Sequence, residues 1–287
     1  MKLKRLLLTA LVMLLALPAL RAQEKVAAAD VIKKFFETKT CVVLDNNIFN
    51  SYNSGIKQAI ESSWTITPFE YISFDEFQQR KFKPEYSFLL VTKDYYKDDS
   101  DKMTYAFLSL LQGGNYKSVY DMPTLASFPL SYYENQDYEK YVYKLTPIVK
   151  FMQNHVNLTK DHPELTEKNI VLYYNRNAEK LGDKKLYIIK EDLPKDLNTE
   201  AKVKAIYTKP FEILAEQENL EDIVKANDPK AVFVHKVGPP KGSPRAARCF
   251  NVVLGNDGSV YYFGWHKIST KEPDGFLKGD FKKLGKQ

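Results

Sequence analysis

Cys249 and His266 are the pair in this sequence with the most chemical potential, provided that they meet. Asp257-Gly258 is a strong two-residue turn signal between the apolar runs 250–254 and 260–265. Counting outward from that turn sets Cys249 opposite His266, at the roughly 4.5–5.5 Å that separates cross-strand Cβ atoms. An imidazole so placed can take the proton of a thiol, which is the starting point of a thiol-dependent hydrolase. His235 on a neighbouring strand, or Asp257, would supply a third member. A one-residue change in the loop would put Trp265 opposite Cys249 instead. The flanking sequence is of no known thiol-enzyme type, so a structural role for Cys249 is the stronger reading.

The segment before that hairpin offers binding rather than catalysis. Residues 238–248 read Gly-Pro-Pro-Lys-Gly-Ser-Pro-Arg-Ala-Ala-Arg. Lys241, Arg245 and Arg248, with Lys236 just upstream, could meet a carboxylate or phosphate. The competing account is a stiff solvated loop whose charges keep the sheet edge from pairing.

Other chemistry lacks its residues. His155, His162, His235 and His266 are scattered, with neither His-Glu-x-x-His nor Cys-x-x-Cys, so no metal site is expected. There is no glycine-rich phosphate cradle and no Gly-x-Ser-x-Gly elbow, and no cofactor is expected. Cys41 and Cys249 are too few for a disulfide framework. They could bridge across domains, but Cys41 opens a buried strand, and two separate thiols are the preferred reading.

The elements that must position these residues follow a leader. Lys2, Lys4 and Arg5 precede an apolar run over 6–20, and the chain turns polar after Ala22. That is the layout of a secretory signal peptide cut at Ala22–Gln23, so the mature protein is expected to be periplasmic or secreted. The run is shorter than the roughly 20 residues of a membrane span, and no later stretch is long and apolar enough. Losing the four basic leader residues lowers the net charge from +6 to about +2, which removes the case for nucleic-acid binding.

Behind the leader, strands alternate with helices. Runs at 41–44, 69–72, 86–91 and 105–111 read as strands separated by amphipathic helices, and a continuous apolar run suggests a strand covered on both faces. The same order returns at 186–190, 211–216, 231–235 and 250–254, with one further strand at 260–265. Matching stretches such as Pro68-Phe69-Glu70 and Pro210-Phe211-Glu212 recur at offsets of 142 to 145 residues, the spacing of an internal repeat. The expectation is an α/β protein of two similar mixed-sheet domains, each β-α-β-α-β-β, at 23–114 and 184–270.

Residues 115–183 are expected to form a helical, tyrosine-rich connector. Tyr138, Tyr141 and Leu145 lie at i, i+3 and i+7, a helix face, with Pro147 bending or splitting a helix over 137–156. The crowd of tyrosines, Tyr116, Tyr120, Tyr132, Tyr133, Tyr138, Tyr141 and Tyr143, could also form a sugar-stacking platform. The lysine-rich tail, 271–287, is expected to be frayed or loosely docked.

The order β-α-β-α-β-β in an exported chain resembles the amino-terminal α/β domain of TolB-type periplasmic proteins. It is also similar to domains of curli-secretion-type envelope proteins and to many exported proteins of Gram-negative bacteria. That resemblance rests on element order over 41–113 and 186–268 and implies a fold, not a reaction. The functional expectation is a binding or scaffolding protein of the cell envelope, whose partner is an envelope protein or a small anionic ligand. A thiol hydrolase using Cys249 and His266, or a glycan-binding protein, is the alternative.

Overall fold

A computed structural model describes residues 27–47, 50–96, 99, 103–132, 140–239 and 247–285. Strand β1 (Lys39–Val43) is a short apolar run and accordingly sits in the middle of a sheet, flanked by β2 (Phe69–Ile72) and β3 (Tyr86–Tyr95), both parallel to it. Strands β4 (Thr104–Gln112) and β5 (Thr124–Tyr132) continue the sheet antiparallel, in the order β2-β1-β3-β4-β5. The second sheet repeats this arrangement. Strand β6 (Lys185–Ile189) lies between parallel β7 (Phe211–Leu214) and β8 (Ala231–Val237), followed by antiparallel β9 (Arg248–Gly255) and β10 (Val260–Lys267). Its order, β7-β6-β8-β9-β10, is that of the first sheet strand for strand. The two α/β units are therefore similar domains.

Helices fill the space between and outside the sheets. Helices α1 (Ala29–Phe35), α2 (Ser51–Ser63), α4 (Leu145–Asp161) and α7 (Gln217–Lys225) share one core with the facing sides of both sheets. Leu89 and Leu108 line it from the first sheet, Phe233 and Val252 from the second, and Ile148 and Met152 of α4 lie among them. Helix α3 (Phe74–Arg80) covers the other face of the first sheet through Phe77. Its start is fixed by a capping box in which Ser73 and Glu76 satisfy each other's backbone N–H groups. Helix α5 (Ile170–Arg176) runs against β10, where the Asn175 amide donates to Phe263 O at 3.0 Å and accepts from Phe263 N at 2.6 Å. That side chain occupies hydrogen-bonding groups of an edge strand.

Two sequence expectations change here. The stretch expected to be a helical connector contains β5 in its first part, and that strand carries Pro129. Proline is tolerated because β5 is an edge strand. The long helix begins only at Leu145, with Pro147 in its first turn, where a missing N–H breaks no hydrogen bond and the axis is not split. The described part of the tail, residues 271–285, is docked, and firmly. Phe276, Phe281 and Leu284 are fully buried, and α8 (Lys278–Gly285) joins α6 (Glu200–Lys204) on the outer face of the second sheet. Three large apolar groups in a short segment outweigh its lysines, which point outward.

The final hairpin shows how register is set. Gly255 N–H bonds Ser259 O, so the loop holds three residues rather than two, with Gly258 at φ 78°. That loop alone would bring Trp265 opposite Cys249. A bulge between Val260 and Tyr262 adds one residue back, and His266 pairs with Cys249. The turn rests on α4, where Lys150 Nζ donates to Asn256 O at 3.0 Å and Asn154 to Asp257 O at 3.1 Å. A Cβ on Gly258 would come within 2.4 Å of Phe151 N, so the position needs glycine for contact as well as for φ. Among the described residues no helix is long and apolar enough to cross a membrane.

Candidate functional site

In open α/β sheets, ligands gather outside the carboxyl ends of the strands where the chain switches direction. In the second sheet that point lies between β6 and β8, and charged residues converge on it. Asp192 closes the turn after β6, and Lys236 stands at the end of β8. Lys236 Nζ donates to Asp274 Oδ2 at 2.6 Å and lies 3.8 Å from Asp192 Oδ1. Its side chain is only 12 % exposed. The two carboxylates outweigh burial and hold its ammonium above the ordinary lysine range.

Lys144, just ahead of α4, adds a second buried cation. It is 3 % exposed. Desolvation lowers its pKa to about 8, against the pull of Asp192. Burial in turn pushes the Asp192 carboxyl up. Below about pH 8 the fold bears the cost of a charged Lys144, and that cost fades as pH rises toward 10.5, where the unfolded lysine also loses its proton. Lys144→Met is therefore expected to raise stability at neutral pH by about 2 kcal/mol, with the gain vanishing at alkaline pH. Urea unfolding at both pH values measures this, and destabilisation at neutral pH would contradict it.

The C-terminal segment lies over this cluster like a strap. Asn251 Nδ2 donates to Gly275 O at 3.1 Å and to Asp280 Oδ2 at 3.2 Å, and Tyr262 donates to Asp280 Oδ1 at 2.6 Å. Phe276 N–H donates to Asp192 O at 2.8 Å, tying the strap to the β6 turn.

Cys249 lies beneath the strap. Its sulfur is 3.8 Å from both Asn251 Oδ1 and Gly275 O. His266 faces it in register, yet the imidazole Nε2 donates to Pro273 O at 2.9 Å. Burial, with the Asp274 carboxylate, raises the Cys249 thiol well above its ordinary pKa, opposite to what a nucleophile needs. His235 belongs to the other face of β8, where Nε2 donates to Pro129 O at 2.8 Å, and Asp257 serves the turn through Ser259. Neighbouring residues of a strand point to opposite faces, so His235 and Lys236 cannot serve one site. The proposed thiol constellation is thus not assembled beyond the Cys249–His266 register.

Cys41 is likewise buried, its thiol raised to about 11 by desolvation and then Glu70, and neither cysteine is bridged. Iodoacetamide is expected to modify two thiols per chain after unfolding and neither at an ordinary thiol rate before it. Fast native labelling of Cys249 would reopen the enzymatic alternative.

The basic residues divide likewise. Lys241 and Arg245 lie outside the described residues. Lys236 is committed to Asp192 and Asp274. Arg248 is buried: Nε donates to Asp99 Oδ1 at 3.1 Å, and the guanidinium lies 3.9 Å from the Tyr96 ring centre and 4.2 Å from that of Trp265. Tyr105 joins them, donating to Asp99 Oδ2 at 2.6 Å and accepting from Arg248 N–H at 2.7 Å. This knot joins the loop after β3 to the start of β9, and so one sheet to the other. Above it Trp265 is 51 % exposed.

Among the described residues, the tyrosines grouped in the sequence take different environments. Tyr132 and Tyr141 are buried, Tyr120 stands outward, and Tyr133 and Tyr138 lie outside the described residues. Sequence reasoning overlooked Lys144, Asp192 and Asp274. The one available signal was position, since Asp192 directly follows a strand and a turn. Comparison with family models, with curated proteins and with solved structures returns no match for this chain.

Proposed function

We propose that the chain is exported and acts in the cell envelope as a binding or scaffolding protein, with an envelope protein or a small anionic ligand as partner. Export is supported by the basic start, the apolar run over 6–20 and the polar turn after Ala22. The observation that carries the binding reading is how the ionisable groups of the second unit are used. Lys236, Asp192 and Asp274 answer one another, Arg248 answers Asp99, and the Cys249 thiol is buried and raised. These groups are turned on one another rather than presented to an outside substrate. What they hold outward is the half-exposed Trp265, backed by Arg248, which in sequence follows the basic residues Lys241 and Arg245. A rigid aromatic ring beside positive charge suits recognition of a partner carrying acidic groups.

The test is to express the full chain with a C-terminal tag in a Gram-negative host. A mature chain beginning at or within a residue or two of Gln23, recovered from the envelope or medium, is the expected result. A cytoplasmic chain with its leader intact would overturn the export reading. Screening the purified protein against ester, amide and thioester substrates tests the rest. Turnover that disappears in Cys249→Ala would favour the hydrolase.

A further inference from the structure

We propose that Lys236 and Asp274 condense within the folded protein to an intramolecular amide, a covalent clasp fastening the C-terminal strap to a central strand of the second sheet. This inference is independent of the binding reading and would stand without it.

The geometry differs from that of a surface ion pair. Lys236 Nζ is 2.6 Å from Asp274 Oδ2, so the carboxyl carbon is one bond beyond a hydrogen-bonded contact. Reacting groups held this way gain the large effective concentration of an intramolecular reaction. A second carboxylate, Asp192, stands 3.8 Å from the same nitrogen. It helps hold the buried ammonium, and it also stands where a condensation needs a group that accepts and returns a proton. Burial pushes its carboxyl up.

Asp274 is also fixed from its other side. Its Oδ1 is buried without a hydrogen-bond partner. A Cβ on Gly238 would lie 2.1 Å from that oxygen, so only glycine at 238 lets the carboxylate sit here unshifted. A buried, unpaired carboxylate oxygen is costly, and an uncharged amide carbonyl in its place is less so. The Asp274 side chain remains 33 % exposed, which gives a released water a way out.

The step balances without any added reagent. Lys236 passes one ammonium proton to the Asp274 carboxylate across their hydrogen bond. The freed amine attacks the carboxyl carbon, forming the N–C bond. Asp192 accepts a proton from that nitrogen and passes it to the departing hydroxyl. The C–O bond breaks, water leaves, and Asp192 ends as it began. Two opposite buried charges are lost, and no oxidation state changes.

The test is the intact mass of the denatured, purified mature chain, with a peptide map. The expected wild-type mass is below that of the sequence by one water, and digestion yields a branched peptide joining the segments of Lys236 and Asp274. Lys236→Arg should show the full mass and no branched peptide. Asp192→Asn should melt cooperatively yet stay at full mass, or convert far more slowly, which separates a failed reaction from a failed fold. A folded wild-type chain at full mass would overturn the proposal. So would water loss without the branched peptide, because Asp274-Gly275 and Asp257-Gly258 can each lose water by cyclising on their own backbone. Asp192→Asn condensing at the wild-type rate would remove Asp192 from the mechanism.

Discussion

Acidification from about pH 6.5 to about pH 4 is expected to cost this protein roughly 3–5 kcal/mol of stability, a large share of what a domain typically has. The cause is two histidines that the fold keeps neutral. His235 is 1 % exposed at the junction of the sheets, against Phe128 and with Nε2 on Pro129 O. Desolvation, and then the Lys144 charge, lowers its pKa to about 3. His155 of α4, bonded at 2.8 Å to Tyr174 Oη, is lowered to about 4 by desolvation.

In the unfolded chain both titrate near 6.5. Below that pH the unfolded state takes up protons that the native state refuses, so stability is complete above 6.5 and falls with pH. Each histidine contributes about 1.4 kcal/mol per pH unit at most, and His155, which is less fully enclosed, contributes less. The raised carboxyls of Asp192 and Asp94 act in the opposite sense, adding stability as they protonate. Urea unfolding across this range gives the slope directly. In His235→Gln, whose amide can still donate to Pro129 O, the slope should drop by close to one proton. An unchanged slope would mean that His235 protonates in place.

Arg248→Ala is expected to cost about 3–5 kcal/mol, because it removes the cation from the fully buried Asp99 carboxylate, for which Tyr105 is the other donor among the described residues. The guanidinium is flat and fits between Tyr96 and Trp265, which an ammonium cannot reproduce. Arg248→Lys should therefore recover only part of the loss. The double variant Arg248→Met with Asp99→Asn should lose less than the sum of its single changes, since both charges then leave together. A loss under about 1 kcal/mol for Arg248→Ala would put this contact with ordinary surface ion pairs. Denaturant midpoints of the four chains close the cycle.

Much of the architecture is legible in the sequence, for reasons that also explain what is hidden. Buried parallel strands are short continuous apolar runs, so β1, β3, β6 and β8 stand out, and their repeated order identifies two similar units. Strand β5 hides because Pro129 lowers its strand character and its fate depends on lying at an edge. The final register required two offsetting irregularities, a wider loop and a bulge, and neither has a sequence signal of its own. Lys144 sits beside Tyr143 and Leu145 like any amphipathic helix residue, and only the packed structure reveals that it is enclosed. The docked tail has the composition of a frayed one, with Phe276, Phe281 and Leu284 as the quiet exception. Long-range pairing is the common gap: periodicity shows which face a residue takes, not what meets it there.

The knot between Asp99 and Arg248 also bears on how two similar units keep to one arrangement. The loop holding Asp99 joins β3 to β4, and its counterpart in the second unit joins β8 to β9. Where β9 opens with Arg248, β4 opens with Thr104, and residues 238–247 hold no acid. In this knot the first unit supplies the carboxylate and the second the guanidinium. Two first units meeting through this surface would bury carboxylate against carboxylate, and two second units guanidinium against guanidinium. Dividing an ion pair between near-twins thus discriminates against exchange of units between neighbouring chains, leaving first-with-second as the favoured match.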